Sequence, residues 1–382
     1  MRIGIFSESY EPIINGVTVC VQTLRDELCR QGHGVYIFSP AFEGFQDPYH
    51  HVFRFPSKRT FFARDYPLPV PFSPSLKKSF RKLDLDIVHT QTPFLLGILG
   101  ARWARQCGIP IVTTNHTLYA EYAHYTRILP QPVARRLIVA LMKRYYNACD
   151  GIVAPSRLAR DVLRGYGIRT PIEVITSGVN NGNHIPVPNG FRKRLGIPAD
   201  AATLLYVGRL AKEKNLDMLL SAFRLISEKD DSVRLALVGA GPYKESLREQ
   251  TERLRLTDRV TFAGSLPRAD LASAYADADI FVWPSVTETQ GLAVCEALSA
   301  GLPCVAANGG GTPECLQDGV DSFVTPNDSA AFADSALRLL RDKELRDKMA
   351  AGALKNSARF STTEMAAKFV EFYSSVIGNR RS

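Results

Sequence analysis

Residues 279–303, DIFVWPSVTETQGLAVCEALSAGLP, change character twice within one short stretch. The run Asp279-Ile-Phe-Val-Trp-Pro-Ser reads as a buried strand leaving the core, and Gly291-Leu-Ala-Val-Cys-Glu-Ala-Leu-Ser-Ala reads as a helix closed by Gly301 and Pro303. Strand, loop and helix together make one step of an α/β unit. This reading sets Glu288 in the loop ahead of the helix and Glu296 inside the helix. The free amides and positive dipole end of a helix N-terminus suit phosphate, while carboxylates suit sugar hydroxyls. The pairing points to a ligand carrying both.

Working outward, the same alternation runs along the chain. MRIGIFS, HGVYIFSP, LDIVHTQ, IPIVTTNH, GIVAPS and IEVITSG are strand candidates in the first half, and ATLLYVGRL, VRLALVGAG, RVTFAGS, DIFVWPS, LPCVAAN and DSFVTP follow in the second. Periodic helices such as Val17–Gln31 and Leu216–Glu228 lie between them, as parallel sheets covered on both faces require. The expected fold is α/β, two doubly wound Rossmann-like domains with ligands at the carboxyl ends of their strands. Residues 181–203, rich in Gly, Pro and Asn, read as a linker into the second domain.

Composition narrows the class. A chain of 382 residues with 45% apolar and 22% charged content can bury a full core and divide into two domains. MRIGIFSESYEP is not a secretory signal, and no stretch approaches the roughly 20 apolar residues of a membrane span. Seven cysteines without CxxC or Cys/His ligand spacing read as reduced thiols of a cytoplasmic protein, with no metal site. The net charge of +9 lies wholly in residues 1–180, where 22 Lys and Arg face 13 Asp and Glu; residues 181–382 have 25 of each. Such an excess suits an anionic partner, a nucleic acid or an acidic membrane surface, or serves solubility alone.

Eight short stretches then fall in a recognisable order: Ser7-Glu-Ser-Tyr-Glu-Pro with Asn15-Gly-Val, Asp86-Ile-Val-His, Asn115-His-Thr, Ala154-Pro-Ser, Ser177-Gly-Val-Asn, Val207-Gly-Arg-Leu-Ala-Lys-Glu-Lys-Asn, Leu237-Val-Gly-Ala-Gly-Pro and ETQGLAVCE. Over nearly its whole length the chain resembles the retaining GT-B glycosyltransferases that carry the E-x7-E signature. That resemblance implies two Rossmann-like domains facing a central cleft: residues 1–185 on the acceptor side, residues 186–361 binding the nucleotide sugar, and a terminal helix of about 362–382 packing back on the first domain. Residues also speak for themselves. Gly16, between the first strand and its helix, would let backbone approach a phosphate or simply make the turn. Arg209 and Lys214 flank a turn after the strand LLYVG and could grip a diphosphate, although exposed cations are usually solvated.

By resemblance, Arg209 and Lys214 neutralise the donor diphosphate, Glu288 contacts the transferred sugar with the amides of Gln290, Gly291 and Leu292 nearby, and Glu296 holds the ribose hydroxyls. Gly239 would admit the base beside the backbone. His116, at the end of the strand IPIVTT, would contact the sugar hydroxymethyl or stabilise positive charge on the ring, not act as a general base. The resembling enzymes react on one face of the sugar, the leaving phosphate oxygen taking the acceptor proton. No cofactor or metal is implied, the cations doing a metal's work.

His116-Thr-Leu-Tyr-Ala-Glu-Tyr-Ala-His-Tyr and Gln290 resemble bacterial 1,2-diacylglycerol α-glucosyltransferases in particular. This implies UDP-glucose as donor and a membrane lipid as acceptor, with no nucleic acid and an open oligomeric state. In the helix expected over Gln131–Asn147, Arg135, Arg136 and Lys143 fall within about 100° of arc, while Ala134, Leu137, Ile138, Leu141 and Tyr145 lie opposite. With Arg144, and with Lys77-Lys-Ser-Phe-Arg-Lys82 after the apolar loop Tyr66–Pro74, these cations are candidates for an anionic membrane surface on the cytoplasmic side. The alternative is an ordinary surface helix with its apolar side on the core. Other readings of the whole chain are a relative with another acceptor or donor (a phosphatidylinositol mannosyltransferase, a sulfoquinovosyl or a sugar-to-sugar transferase), a GT-B nucleotide-sugar epimerase and a non-catalytic nucleotide-sugar binder.

Overall fold

The computed structural model describes residues 1–60, 63–121, 130–179 and 190–381. Residues 181–189 of the expected linker and residues 122–125 of the stretch after His116 lie outside them. The chain divides into two compact units, Met1–Gly178 with Thr362–Ser382, and Val179–Ser361. The expected boundary at 185/186 thus moves to Gly178/Val179. The reason is local: the Val179 amide donates to the Phe360 carbonyl at 2.9 Å, whereas the Gly178 amide meets the Met365 sulfur at 3.0 Å.

Unit 1 runs β1 (Arg2–Phe6), α1 (Gly16–Arg30), β2 (Gly34–Pro40), β3 (Val52–Phe55), β4 (Ser57–Thr60) and β5 (Ala63–Pro69). It continues through α2 (Pro74–Lys82), β6 (Ile87–Thr90), α3 (Leu95–Gln106), β7 (Ile111–Thr114), α4 (Gln131–Tyr146), β8 (Gly151–Ala154), α5 (Arg157–Gly165) and β9 (Ile172–Val174). Its seven-stranded parallel sheet has the order β3-β2-β1-β6-β7-β8-β9, and β4 and β5 form a separate antiparallel pair. Alternation along β1 sends Ile3 and Ile5 to one face, where they pack with Val21, Leu24 and Leu28 of α1, and Phe6 to the other, against Phe38, Phe80 and Trp103. Both faces are therefore covered at the centre of the sheet, where β6, β7 and β8 are buried at every position, whereas the edge strands β3 and β9 carry Arg54 and Glu173.

Unit 2 runs α6 (Phe191–Arg194), β10 (Thr203–Val207), α7 (Leu216–Lys229), β11 (Arg234–Val238), α8 (Lys244–Arg253), β12 (Val260–Gly264), α9 (Arg268–Asp277) and β13 (Ile280–Trp283). It ends with α10 (Leu292–Ser299), β14 (Cys304–Ala307), β15 (Ser322–Thr325), α11 (Ser329–Arg341) and α12 (Lys343–Ser357), and the last helix, α13 (Thr362–Arg381), belongs to unit 1. The six parallel strands are ordered β12-β11-β10-β13-β14-β15. Counted within the unit this is 3-2-1-4-5-6, the dinucleotide-fold order, whose strand order reverses between β10 and β13. Leu204, Leu205, Leu235, Leu237, Phe281 and Val305 are all fully buried at its centre.

All twelve expected strands are present, in parallel sheets as read. The α13 helix returns to lie against α1 in unit 1, where the Tyr373 hydroxyl meets His89 Nδ1 at 2.7 Å. Asn15 caps α1 by accepting the Thr18 amide at 2.9 Å, a contact of a kind that stabilises a helix by about 1 kcal/mol.

Candidate functional site

The reversal point of unit 2 is where Arg209, Lys214 and Glu288 arrive, because the loops that carry them leave the carboxyl ends of its two flanking strands, β10 and β13. After β10 the chain passes Gly208 and the exposed Arg209, makes a tight turn over Lys212–Lys214, and enters α7 through Asn215 in the left-handed conformation, φ 58°. The Asn215 side chain donates to the Pro284 carbonyl at 2.9 Å, which ties this turn to the loop leaving β13. Thr287 adds a second tie, its hydroxyl donating to the Glu213 carbonyl at 3.2 Å.

Those ties bring Lys214 and Glu288 together. Lys214 Nζ lies 2.5 Å from Glu288 Oε1, with the two side chains 15% and 17% exposed. The Ser285 hydroxyl donates to the same oxygen at 2.8 Å. Gly291 then starts α10 at φ 99°, a left-handed turn that glycine makes without strain, and no side chain caps the helix ahead of Leu292. One turn on, Glu296 is half-buried and accepts the Tyr275 hydroxyl on Oε2 at 2.8 Å. Burial raises its carboxyl above the ordinary range, opposed by that hydrogen bond and by Arg268. The Gln290 side chain turns inward: it is 5% exposed, with Nε2 3.5 Å from the Cys295 sulfur.

Gly239 has a reason of its own. A Cβ there, at φ 136°, would stand 1.9 Å from the Gly208 carbonyl oxygen, because the turn after β11 packs backbone to backbone on the turn that carries Arg209. The fold itself therefore demands a glycine there. Gly239→Ala is accordingly expected to lower stability by about 2–3 kcal/mol in denaturant titration. Gly16 is the opposite case: it is exposed, its φ is ordinary, and a Cβ would meet nothing within 4 Å, so the fold does not demand glycine there.

His116, in unit 1, is half-buried with Nε2 2.7 Å from Gln91 Oε1. Burial pulls its pKa down to about 4, so the ring is neutral near pH 7 and is not a fixed positive charge. It lines a cavity of about 20 Å³ with Gln91, Cys20 and Ser177. His89 is fully buried between Thr114 and Tyr373, and its pKa falls to about 3; it braces the sheet. Glu8 accepts the Leu96 amide at 2.6 Å and the Thr92 hydroxyl, closing the start of α3, and burial lifts its carboxyl to about 7.

On α4, the expectation of an apolar face on the core holds only in part. Ala134, Met142 and Tyr145 are buried, but Leu137 and Leu141 are 51% and 55% exposed, and Val133 joins them at 50%. The row 133-137-141 stands about 100° around the helix from the core row 134-138-142, outside its narrow contact stripe. Arg135, Arg136, Lys143 and Arg144 are exposed, Arg135 reaching Glu121 at 3.5 Å. A groove of about 830 Å³ beside α4 is lined by Arg135, Arg136, Val139, Lys143 and Tyr166. The neighbouring α3 begins with exposed Phe94, Leu95 and Ile98. Among the described residues no helix is long and apolar enough to cross a membrane.

The sequence reading missed Tyr275, Ser285 and Gln91. Among the described residues there is no cluster of three or more His, Cys, Asp or Glu groups able to hold a metal.

Residues 189–356 match the family described as glycosyl transferases group 1, and residues 14–182 match glycosyltransferase family 4. The chain is 35% identical to the alpha-monoglucosyldiacylglycerol synthase of Streptococcus pneumoniae, over 80% of this chain and 71% of that protein. It is 31% identical to the enzyme of the same name from Acholeplasma laidlawii, over 89% of this chain and 87% of that protein. Among solved structures, the sucrose-phosphate synthase of Thermosynechococcus elongatus superposes with a TM-score of 0.82 at 22% identity, covering 99% of this chain and 100% of that one. At that identity the likeness is one of fold, and the fold is GT-B.

Proposed function

Since the chain belongs to the glycosyl transferases of group 1, we propose that it transfers a glucosyl group from UDP-glucose to a membrane lipid such as diacylglycerol, with retention of configuration. The observation that carries this reading is the convergence of two cations, Arg209 and Lys214, and two carboxylates, Glu288 and Glu296, on the elements that follow β10 and β13. Such a set suits a ligand with a diphosphate at one point and hydroxyls at two others.

In the proposed reaction the acceptor oxygen bonds to the sugar's anomeric carbon as the bond to the diphosphate oxygen breaks, on the same face of the ring. The acceptor proton passes to the departing phosphate oxygen. Arg209 and Lys214 stabilise the charge that gathers on the diphosphate, the main contribution to rate. Glu288 holds a sugar hydroxyl and Glu296 the ribose hydroxyls, with the backbone at Gly239, Gln290, Gly291 and Leu292 shaping the donor site. Gly16 leaves backbone open to a phosphate, and the neutral His116 can offer a hydrogen bond but not a positive charge. No metal takes part, so activity is expected to survive a chelator.

The lipid acceptor is supported by the names of the two relatives and by α4, which exposes Leu137 and Leu141 as well as Arg136 and Arg144. Apolar side chains flanked by cations suit the headgroup boundary of an anionic membrane, on its cytoplasmic side. A panel of UDP-glucose, UDP-galactose and GDP-mannose with extracted membrane lipids, read by mass spectrometry, tests donor and acceptor together. A hexosyl lipid formed only from UDP-glucose is expected. Isomerised free sugar nucleotide would mean an epimerase, and a product from GDP-mannose alone would overturn the donor.

Glu296→Ala is expected to weaken donor binding about tenfold or more and to change kcat little, since ribose contacts are made equally in ground and transition states. Binding calorimetry beside steady-state kinetics checks this, and normal affinity with a large loss of kcat would count against the ribose role.

A further inference from the structure

Glu288 is where three stretches of unit 2 meet. Its Oε1 takes both the Lys214 ammonium, at 2.5 Å, and the Ser285 hydroxyl, at 2.8 Å. Its Oε2 takes no hydrogen bond among the described residues, and the side chain keeps 17% exposure. The backbone around it is fixed: the Glu288 carbonyl accepts the Gly311 amide at 2.8 Å, and Thr287 and Asn215 fasten the loop to the Lys212–Lys214 turn. Ser285 itself is fully buried at the end of β13. Its hydroxyl has one proton to give, and gives it to Glu288.

This arrangement asks Lys214 to serve two anions. With the site empty, Lys214 and Glu288 neutralise each other. A diphosphate carries more charge than a carboxylate and competes for the same ammonium on its flexible four-carbon stem. Once the ammonium turns toward the diphosphate, Oε1 keeps a single donor from the set seen here, Ser285. A carboxylate bound at one oxygen by a fixed, buried hydroxyl keeps its second oxygen aimed outward; without that hydroxyl it is free to rotate.

We propose that Ser285 is the positioning residue that holds Glu288 toward the donor sugar when the diphosphate draws Lys214 away, and so sets the enzyme's selectivity for the sugar part of its donor. The proposal rests on the reading of this site as one for a nucleotide sugar. Ser285 touches no substrate and acts through Glu288, so its effect should be confined to ligands that carry the sugar.

Titration calorimetry of the full chain with UDP and with UDP-glucose tests this, using Ser285→Ala, Glu288→Ala and the double variant. Ser285→Ala is expected to weaken UDP-glucose about ten- to a hundredfold, the worth of a hydrogen bond to a charged group, and to leave UDP affinity unchanged. In the Glu288→Ala background the same substitution should cost nothing more, since the two residues act as one. Discrimination between UDP-glucose and UDP-galactose should fall in parallel. The proposal is overturned if Ser285→Ala weakens UDP and UDP-glucose alike, or if its cost simply adds to that of Glu288→Ala. A wild-type chain that binds neither UDP nor UDP-glucose would remove the donor reading itself, and this role with it. Unchanged UDP binding also shows that the variant is folded.

Discussion

Arg209→Ala and Lys214→Ala should each cut turnover by about 2–4 kcal/mol of transition-state stabilisation, roughly thirty- to a thousandfold, with a much smaller effect on donor binding. Charge on the diphosphate grows as the glycosidic bond breaks, so a fixed cation gains more in the transition state than in the bound donor. The two positions differ in what they leave behind. Arg209 is exposed and has no carboxylate paired with it among the described residues, so its removal exposes no unpaired buried charge. Removing Lys214 takes the cation from Glu288 as well, leaving Ser285 as the donor on that oxygen. With the donor bound, Ser285 still holds Glu288 in either variant, so neither substitution should change selectivity among donor sugars. Single-turnover rates with saturating donor separate chemistry from binding. Full activity in both variants would remove electrostatic stabilisation of the leaving group from the mechanism.

Neutralising Arg135, Arg136, Lys143 and Arg144 together should release the chain from anionic vesicles. Each cation near such a surface is worth about 1 kcal/mol, so four are worth about 4 kcal/mol, close to a thousandfold in partitioning. The ion pair of Arg135 with Glu121 subtracts little from this, since both side chains are about half exposed and such pairs contribute at most about 1 kcal/mol. Binding should fall as salt rises, because the screening length shortens to about 8 Å at physiological ionic strength. Replacing Leu137 and Leu141 with Ser, which leaves the charge unchanged, should weaken binding by a similar factor at low and high salt, which separates insertion from attraction. UDP-glucose binding, which rests on unit 2, should be unchanged in every one of these variants. Vesicle sedimentation checks the set; binding that ignores both salt and the four cations would leave α4 a solvated surface and favour a soluble acceptor.

What the sequence made legible follows from where the signal is local. Strands buried on both faces are unbroken apolar runs, and IFVW or LLYV can be read without knowing their neighbours. VFRF, strand β3, escaped because Arg54 breaks the run, and that arginine is held by Asp47 and carbonyls of other loops. The β4–β5 pair escaped for want of any apolar alternation with a tight turn. Arg209, Lys214, Glu288 and Glu296 were legible through an ordered motif, and the structure brings Lys214 and Glu288 into contact. Tyr275 and Ser285 were not: each is an unremarkable residue of a helix or loop until packing sets its hydroxyl on a glutamate. Whether Leu137 and Leu141 pack on the core or stay exposed was left open by periodicity, which reports which side of a helix is apolar, not how wide a stripe the core can cover. Gly239 was legible as a glycine of the donor loop, and the structure adds a packing reason for it, the Gly208 carbonyl against its Cα.

The central claim is that glucose passes from UDP-glucose to a lipid on the same face of the sugar. Its most direct test is the anomeric configuration of the product, read by NMR after incubating the full-length chain with UDP-[13C]glucose and diacylglycerol in anionic vesicles, with a chelator present. A single α-linked glucosyl lipid, carrying all of the transferred label, is expected. A β-linked product, or label recovered only as free glucose or on a soluble sugar, would contradict it.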